Sequence, residues 1–179
     1  MPFFDILSDD ELTPDARRLL DDYARLTGRE HAPDFWRVLG RSTKIIEGRL
    51  KAAQTFGWPA NWPKDAQNVA IMLIAHAKRC QTCFTASRLA LNQLGFDETT
   101  LDSFCANPSA LPLKERDRAF VRWALRVALE SANLTQQDFR DMEKDGFTRL
   151  EIQEIIAFAA YWNMNITFSQ ALLAAQTDD

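Results

Sequence analysis

The 179-residue chain reads as an all-α protein of about seven to eight helices. Three observations carry this. Only six glycines occur in the whole chain, apolar residues recur at three- and four-residue intervals, and the alternating apolar–polar runs of half-buried strands are scarce. Start and stop signals then place each helix in turn.

The first helix is expected over residues 14–26, because Thr13 can cap it, Pro14 suits the first helical position and Gly28 ends it. A second begins near Pro33 and gathers Phe35, Val38, Leu39, Ile45, Ile46 and Leu50 on one side, with Gly40 and the polar residues 41–44 as the places where it can break. A third spans 63–79, with Val69, Met72, Leu73 and Ala77 inward. Residues 80–94 form the next, closed by Gly95, and Asp97 or Thr99 opens a short helix to Cys105. Beyond a loop at 107–112, a long helix over 113–131 buries Ala119, Phe120, Trp123, Ala124, Val127 and Ala128. Thr135 caps a helix that ends before Gly146, and Thr148 starts a last one reaching about residue 175. Apolar residues surround that last helix, so it must be enclosed by its own domain or by a second copy, and a homo-oligomer is expected.

Length and charge narrow the function classes. The chain fits one domain, with N-terminal helices over 1–60 and a core over 61–179. No stretch approaches the ~18 apolar residues of a membrane span, and acids interrupt the first thirty residues, so a cytoplasmic protein without a membrane role is expected. The net charge of −4 comes with dispersed basic residues, which argues against nucleic acid. No repeat or low-complexity tract is present.

Chemistry concentrates in "KRCQTCFTAS", which holds Cys80 and Cys83, two of the chain's three cysteines. A Cys-x-x-Cys in the first turn of a helix places thiols where unpaired amides and the positive helix end favour a thiolate, and Lys78 and Arg79 add positive charge. One thiol can attack a substrate while the other resolves the product. Zinc would need two more ligands, and only Cys105, His31 and His76 are available. Packing of two small thiols in a helical core stays open beside redox chemistry.

The segments "AQNVAIMLIAHAKRCQTCFTASRLALNQLGFDETTL" and "RAFVRWALRVALESANLTQQDFRDMEKDGFTRLEIQEIIAFAAYWNMNI" resemble the carboxymuconolactone decarboxylase and AhpD-like alkylhydroperoxidase superfamily, in particular its peroxidase-related branch. The likeness extends to "LLDDYARLTGREHAPDFWRVLGRSTKIIEGRL" and so covers most of the chain. It implies an AhpD-like helical domain, assembled as a homo-oligomer, with the cysteines near a subunit boundary. It also implies thiol-dependent reduction of a peroxide or disulfide, with Cys83 attacking and Cys80 resolving. No metal or organic cofactor is implied, only a small-molecule substrate and a thiol reductant protein.

Members of that superfamily usually carry a Glu twelve residues before the first cysteine and a His four after the second, as a proton relay. Here Asn68 and Ser87 hold those positions, and neither is a base near neutral pH. The family's late Asn-Arg pair appears as Ile166–Thr167, although Asn163 is retained. Asn163 and Asn165 are expected to satisfy neighbouring backbone or subunit contacts. His76, four residues before Cys80, is the imidazole placed to take over the relay, against the plainer reading of a surface or packing histidine. The same fold without a relay would serve as a redox sensor or a structural oligomer. Lactone chemistry of the decarboxylase kind is disfavoured by the scarcity of acid–base histidines.

Other features have simpler readings. Arg118, Arg122 and Arg126 form a ladder with Glu115 and Glu130 at its ends, more in keeping with a charged face than an anion site. Cys105 and the five tryptophans read as core. The loop "GWPANWP", residues 57–63, is expected to rim the cysteine pocket or dock into a neighbouring subunit.

Overall fold

A computed structural model of the chain describes residues 3–108 and 111–174. Among them are nine α-helices and no strand: α1 Pro14–Thr27, α2 Asp34–Arg37, α3 Thr43–Ala52, α4 Lys64–Ala77, α5 Gln81–Gln93, α6 Glu98–Ala106, α7 Glu115–Glu130, α8 Gln136–Lys144 and α9 Arg149–Ala174. Several starts follow from caps legible in the residues. Thr13 accepts from the Ala16 amide at 3.2 Å, Asp97 from the Thr100 amide at 2.7 Å, and Thr135 and Asp138 exchange the reciprocal bonds of a capping box.

The helix expected to begin near Pro33, with Gly40 and residues 41–44 as the places where it can break, is broken there. Four residues of α2 run into a 3₁₀ turn, Val38–Arg41, before α3 begins, and α3 then widens into a π-helical turn, Ala53–Gly57. The break falls at Gly40 and the polar segment, where an uninterrupted helix had least apolar surface to bury. This accounts for nine helices where the sequence suggests about eight.

Chain contacts group the residues into two units, one of Phe56–Ile166 and one of the flanking segments. The smaller has its own core, in which Leu7, Leu12, Leu19, Leu20, Trp36, Ile46, Leu50 and Leu172 are buried. Arg49, 4% exposed, lies in the same unit. Its guanidinium sits 4.5 Å from the Phe168 ring, 4.6 Å from Trp36 and 5.4 Å from Phe35, a cation enclosed by aromatic faces.

The larger unit is organised around α4, whose residues Ala66–Ala75 are all buried. The α4 helix packs chiefly on α5 and α7. The proline-rich loop is anchored within this unit. Gly57 accepts from the Trp162 indole at 3.0 Å, Asn61 reaches Glu154 at 3.0 Å, and Trp62 stacks on Phe120 with ring centres 4.5 Å apart. A Cβ at residue 57 would come 2.8 Å from Tyr161, so only glycine permits this approach. The loop is therefore a clasp on α7 and α9, not a free rim.

The arginine ladder is also structural. Arg118 donates to the Leu113 carbonyl at 2.9 Å, Arg122 pairs with Asp145 at 2.5 Å, and Arg126 pairs with Glu130 and Asp138. Each arginine thus has a local acceptor, so the ladder ties α7 to its surroundings. Most of α9 is enclosed by its own chain, with Ile155, Phe158, Ala159 and Ile166 fully buried, although Met164 and Leu150 stay exposed. No helix among the described residues is long and apolar enough to cross a membrane.

Candidate redox site

The connection from α4 to α5 is three residues long, and its backbone is pulled back over the end of α4. The Arg79 amide donates to the His76 carbonyl at 3.0 Å, and the Cys80 amide to the Ala75 carbonyl at 2.9 Å. Arg79 itself takes φ = 57°, the only non-glycine among the described residues with positive φ. The arrangement is that of a left-handed helix stop, filled here by an arginine.

Cys80 is the N-cap of α5, with extended backbone, and Cys83 is the third residue of its first turn. The two thiols differ. Cys80 is 2% exposed, whereas Cys83 is half-buried. No disulfide joins these two cysteines or Cys105. The Cys83 thiol first, and the Cys83 backbone amide after it, hold the Cys80 thiol down to about 7 against the opposing effect of burial. The pair itself, more than the neighbouring Lys78 and Arg79, supplies that stabilisation. Cys105 shows the contrast, since burial pushes its thiol up.

Asn68 and Ser87, the residues expected where the resembling family has its proton relay, bond within their own helices. The Asn68 amide, buried, donates to the Lys64 carbonyl at 2.8 Å, and the Ser87 hydroxyl, 5% exposed, donates to the Cys83 carbonyl at 3.0 Å. Both donors are spent on the carbonyl four residues earlier in their own helix. His76 is exposed, and its ring contact is Phe84, 5.4 Å between centres. Among the described residues no group of three or more His, Cys, Asp or Glu side chains is placed to hold a metal ion.

One tie was not legible in the sequence. The Lys78 ammonium, two residues before Cys80, donates to Asn163 Oδ1 on α9. The signal available was an asparagine among the apolar residues of the middle of α9, which marked Asn163 without naming its partner across 85 positions.

The helix order, with paired thiols opening the fifth helix, defines an all-helical fold of the AhpD type. No family model and no curated protein matches the chain. Solved structures do. The AhpD-core, peroxidase-related protein of Ralstonia eutropha JMP134 superposes with a TM-score of 0.78 at 17% identity, covering 95% of this chain and 89% of that one. The peroxidase-related protein of Silicibacter sp. TM1040 gives 0.78 at 17% identity over 99% and 92%. The debrominase Bmp8 gives 0.71 at 14% identity over 97% and 90%. At these identities the likeness establishes the fold, and a fold hosts more than one chemistry.

Proposed function

We propose that this protein is a thiol-dependent oxidoreductase that reduces a hydroperoxide or a disulfide through Cys83 and Cys80. The observation that carries the reading is the asymmetry of the pair: a reachable thiol in the first turn of α5 beside a buried cap thiol held down to about 7. A peroxide cannot reach a sulfur that is 2% exposed, so Cys83 attacks. Its proton passes to the Cys80 thiolate. The Cys83 sulfur then bonds to the outer peroxide oxygen, the O–O bond breaks, and the alkoxide takes the proton to leave as alcohol. Cys80, again a thiolate, attacks the Cys83 sulfenic acid; the S–S bond forms and hydroxide departs to the solvent, where it takes up the proton that Cys80 released on ionising. The sulfurs lose two electrons and the peroxide gains two. A dithiol protein restores the pair by exchange, and a homo-oligomeric assembly belongs to the same reading.

A second reading is favoured by Asn68 and Ser87, whose donors are already engaged. A general base in reach contributes about 10²–10⁴ in rate, so without one the pair can act as a sensor that oxidises once. Peroxide consumption with an excess of dithiol reductant separates the two. The enzyme turns over many times, Cys83→Ser abolishes turnover, and Cys80→Ser leaves one trappable sulfenic acid per chain. A single slow equivalent, ending in the Cys80–Cys83 disulfide, identifies the sensor. Wild type that forms neither disulfide nor sulfenic acid overturns both.

A further inference from the structure

We propose that Asn163 is a positioning residue for the cysteine pair: by holding the Lys78 ammonium it pins the 78–80 connection and keeps Cys80 seated as the cap of α5. The inference rests on the redox reading above and goes beyond it, because it assigns control of the thiols to a residue on another helix.

The connection is under backbone strain. Arg79 adopts φ = 57°, which any residue with a side chain resists, and such a conformation persists only where its surroundings over-determine it. Three constraints come from α4, through the amide bonds of Lys78, Arg79 and Cys80 to the Ile74, His76 and Ala75 carbonyls, and one from α5, whose Phe84 amide donates to the Cys80 carbonyl. All of these tie the turn to the two helices it joins. The Lys78 side chain adds a constraint from a third, since its bond to Asn163 ties the turn to α9.

That anchor is rigid. Tyr161, Trp162, Asn165 and Ile166, which flank Asn163 along α9, are all buried, and the Trp162 indole is bonded to the Gly57 carbonyl. Cys80 depends on the result. Its thiolate is favoured by the Cys83 thiol and amide, groups that reach it only while residue 80 caps the helix and residue 83 occupies the first turn. Releasing the turn exposes Cys80 and draws it away from both donors. An amide suits the anchor role, because it accepts from the ammonium without bringing a negative charge toward the thiols.

The experiment is the pH titration of thiolate ultraviolet absorbance in the reduced, folded protein carrying Cys105→Ser, a readout that needs no reagent to reach the buried Cys80 sulfur; the lower of the two steps belongs to Cys80. Wild type should show a midpoint near 7 at Cys80. Asn163→Leu and Lys78→Met should each raise it by about one pH unit, an approximately five-fold loss of thiolate at pH 7. The double variant should match either single one, because both remove the same bond, and Asn163→Gln, which keeps a neutral amide oxygen to accept, should stay close to the wild-type profile. If Asn163→Leu fails to fold, Lys78→Met, at a half-buried position, carries the same test. An unmoved midpoint in Lys78→Met, or additive effects in the double variant, overturns the proposal while leaving the redox reading standing. A wild type in which neither thiol titrates below the ordinary cysteine range removes that reading, and the positioning role with it.

Discussion

Helices α1, α5 and α8 leave through a glycine, whereas α4 leaves through an arginine. Gly28, Gly95 and Gly146 take φ of 66°, 96° and 89° and cost nothing in doing so, while Arg79 adopts a similar angle with a full side chain. Three of these exits are dictated locally by residue type. The fourth, which delivers the chain to the cysteines, is imposed by what surrounds it: a helix cap on one side and the Lys78–Asn163 bond on the other. Local rules thus build the frame, and the strained exception sits beside the candidate chemistry.

The sharpest way to break the comparison is to make a glycine exit resemble the arginine one. At Gly95 an added Cβ meets nothing within 4 Å, so Gly95→Ala tests backbone strain alone. It should cost about 1–2 kcal/mol, measured as a lower urea midpoint at unchanged slope. The reverse exchange is smaller. Arg79→Gly relieves the left-handed strain but adds freedom to the unfolded chain, so the net gain should be about 0.5 kcal/mol. Its second readout is chemical. Because the Cys83 thiol and amide hold Cys80 down, the thiolate midpoint should stay near 7 in Arg79→Gly. A midpoint that climbs would make the Arg79 charge part of the site. In either protein the thiolate absorbance should fall as the pH drops through that midpoint.

The same division explains what could be read in advance. Glycine stops, the Thr13, Asp97 and Thr135 caps, and the placement of Cys80 at a helix start all depend on residues within four positions of one another. The break at residues 38–42 falls where Gly40 and the polar segment offered one, but the π turn after α3 was harder, since it reflects how apolar surface is shared within a core and not any single residue's preference. Arg79 gives no signal at all, because arginine is an ordinary helix former. The site was half legible. Spacing placed the two thiols on one turn, but their unequal burial and the tie from Lys78 to Asn163 arise from packing between distant segments. Ser87 is the instructive case: a serine four residues after Cys83 can bond back to that carbonyl, a local rule sufficient to explain it without a proton relay.

The opposite end of α4 supplies the reverse of the Cys80 case and the smallest expected effect. Asp117, in the first turn of α7, has its carboxyl raised from 3.8 by burial first and by the nearby Asp65 second. A carboxyl whose pKa is higher folded than unfolded favours the folded state in its neutral form, so its penalty appears as pH rises through the unfolded value and is complete above the folded one. Cys80 runs the other way, because its lowered value adds stability as pH rises from about 7 toward the ordinary thiol range. Asp117→Asn should therefore raise the melting temperature at pH 7 by about 1–2 °C and leave it unchanged at pH 3, where the native carboxyl is neutral in both states. A gain that survived at pH 3 would trace to packing or to the helix start, and the charge explanation for this end of α4 would fall.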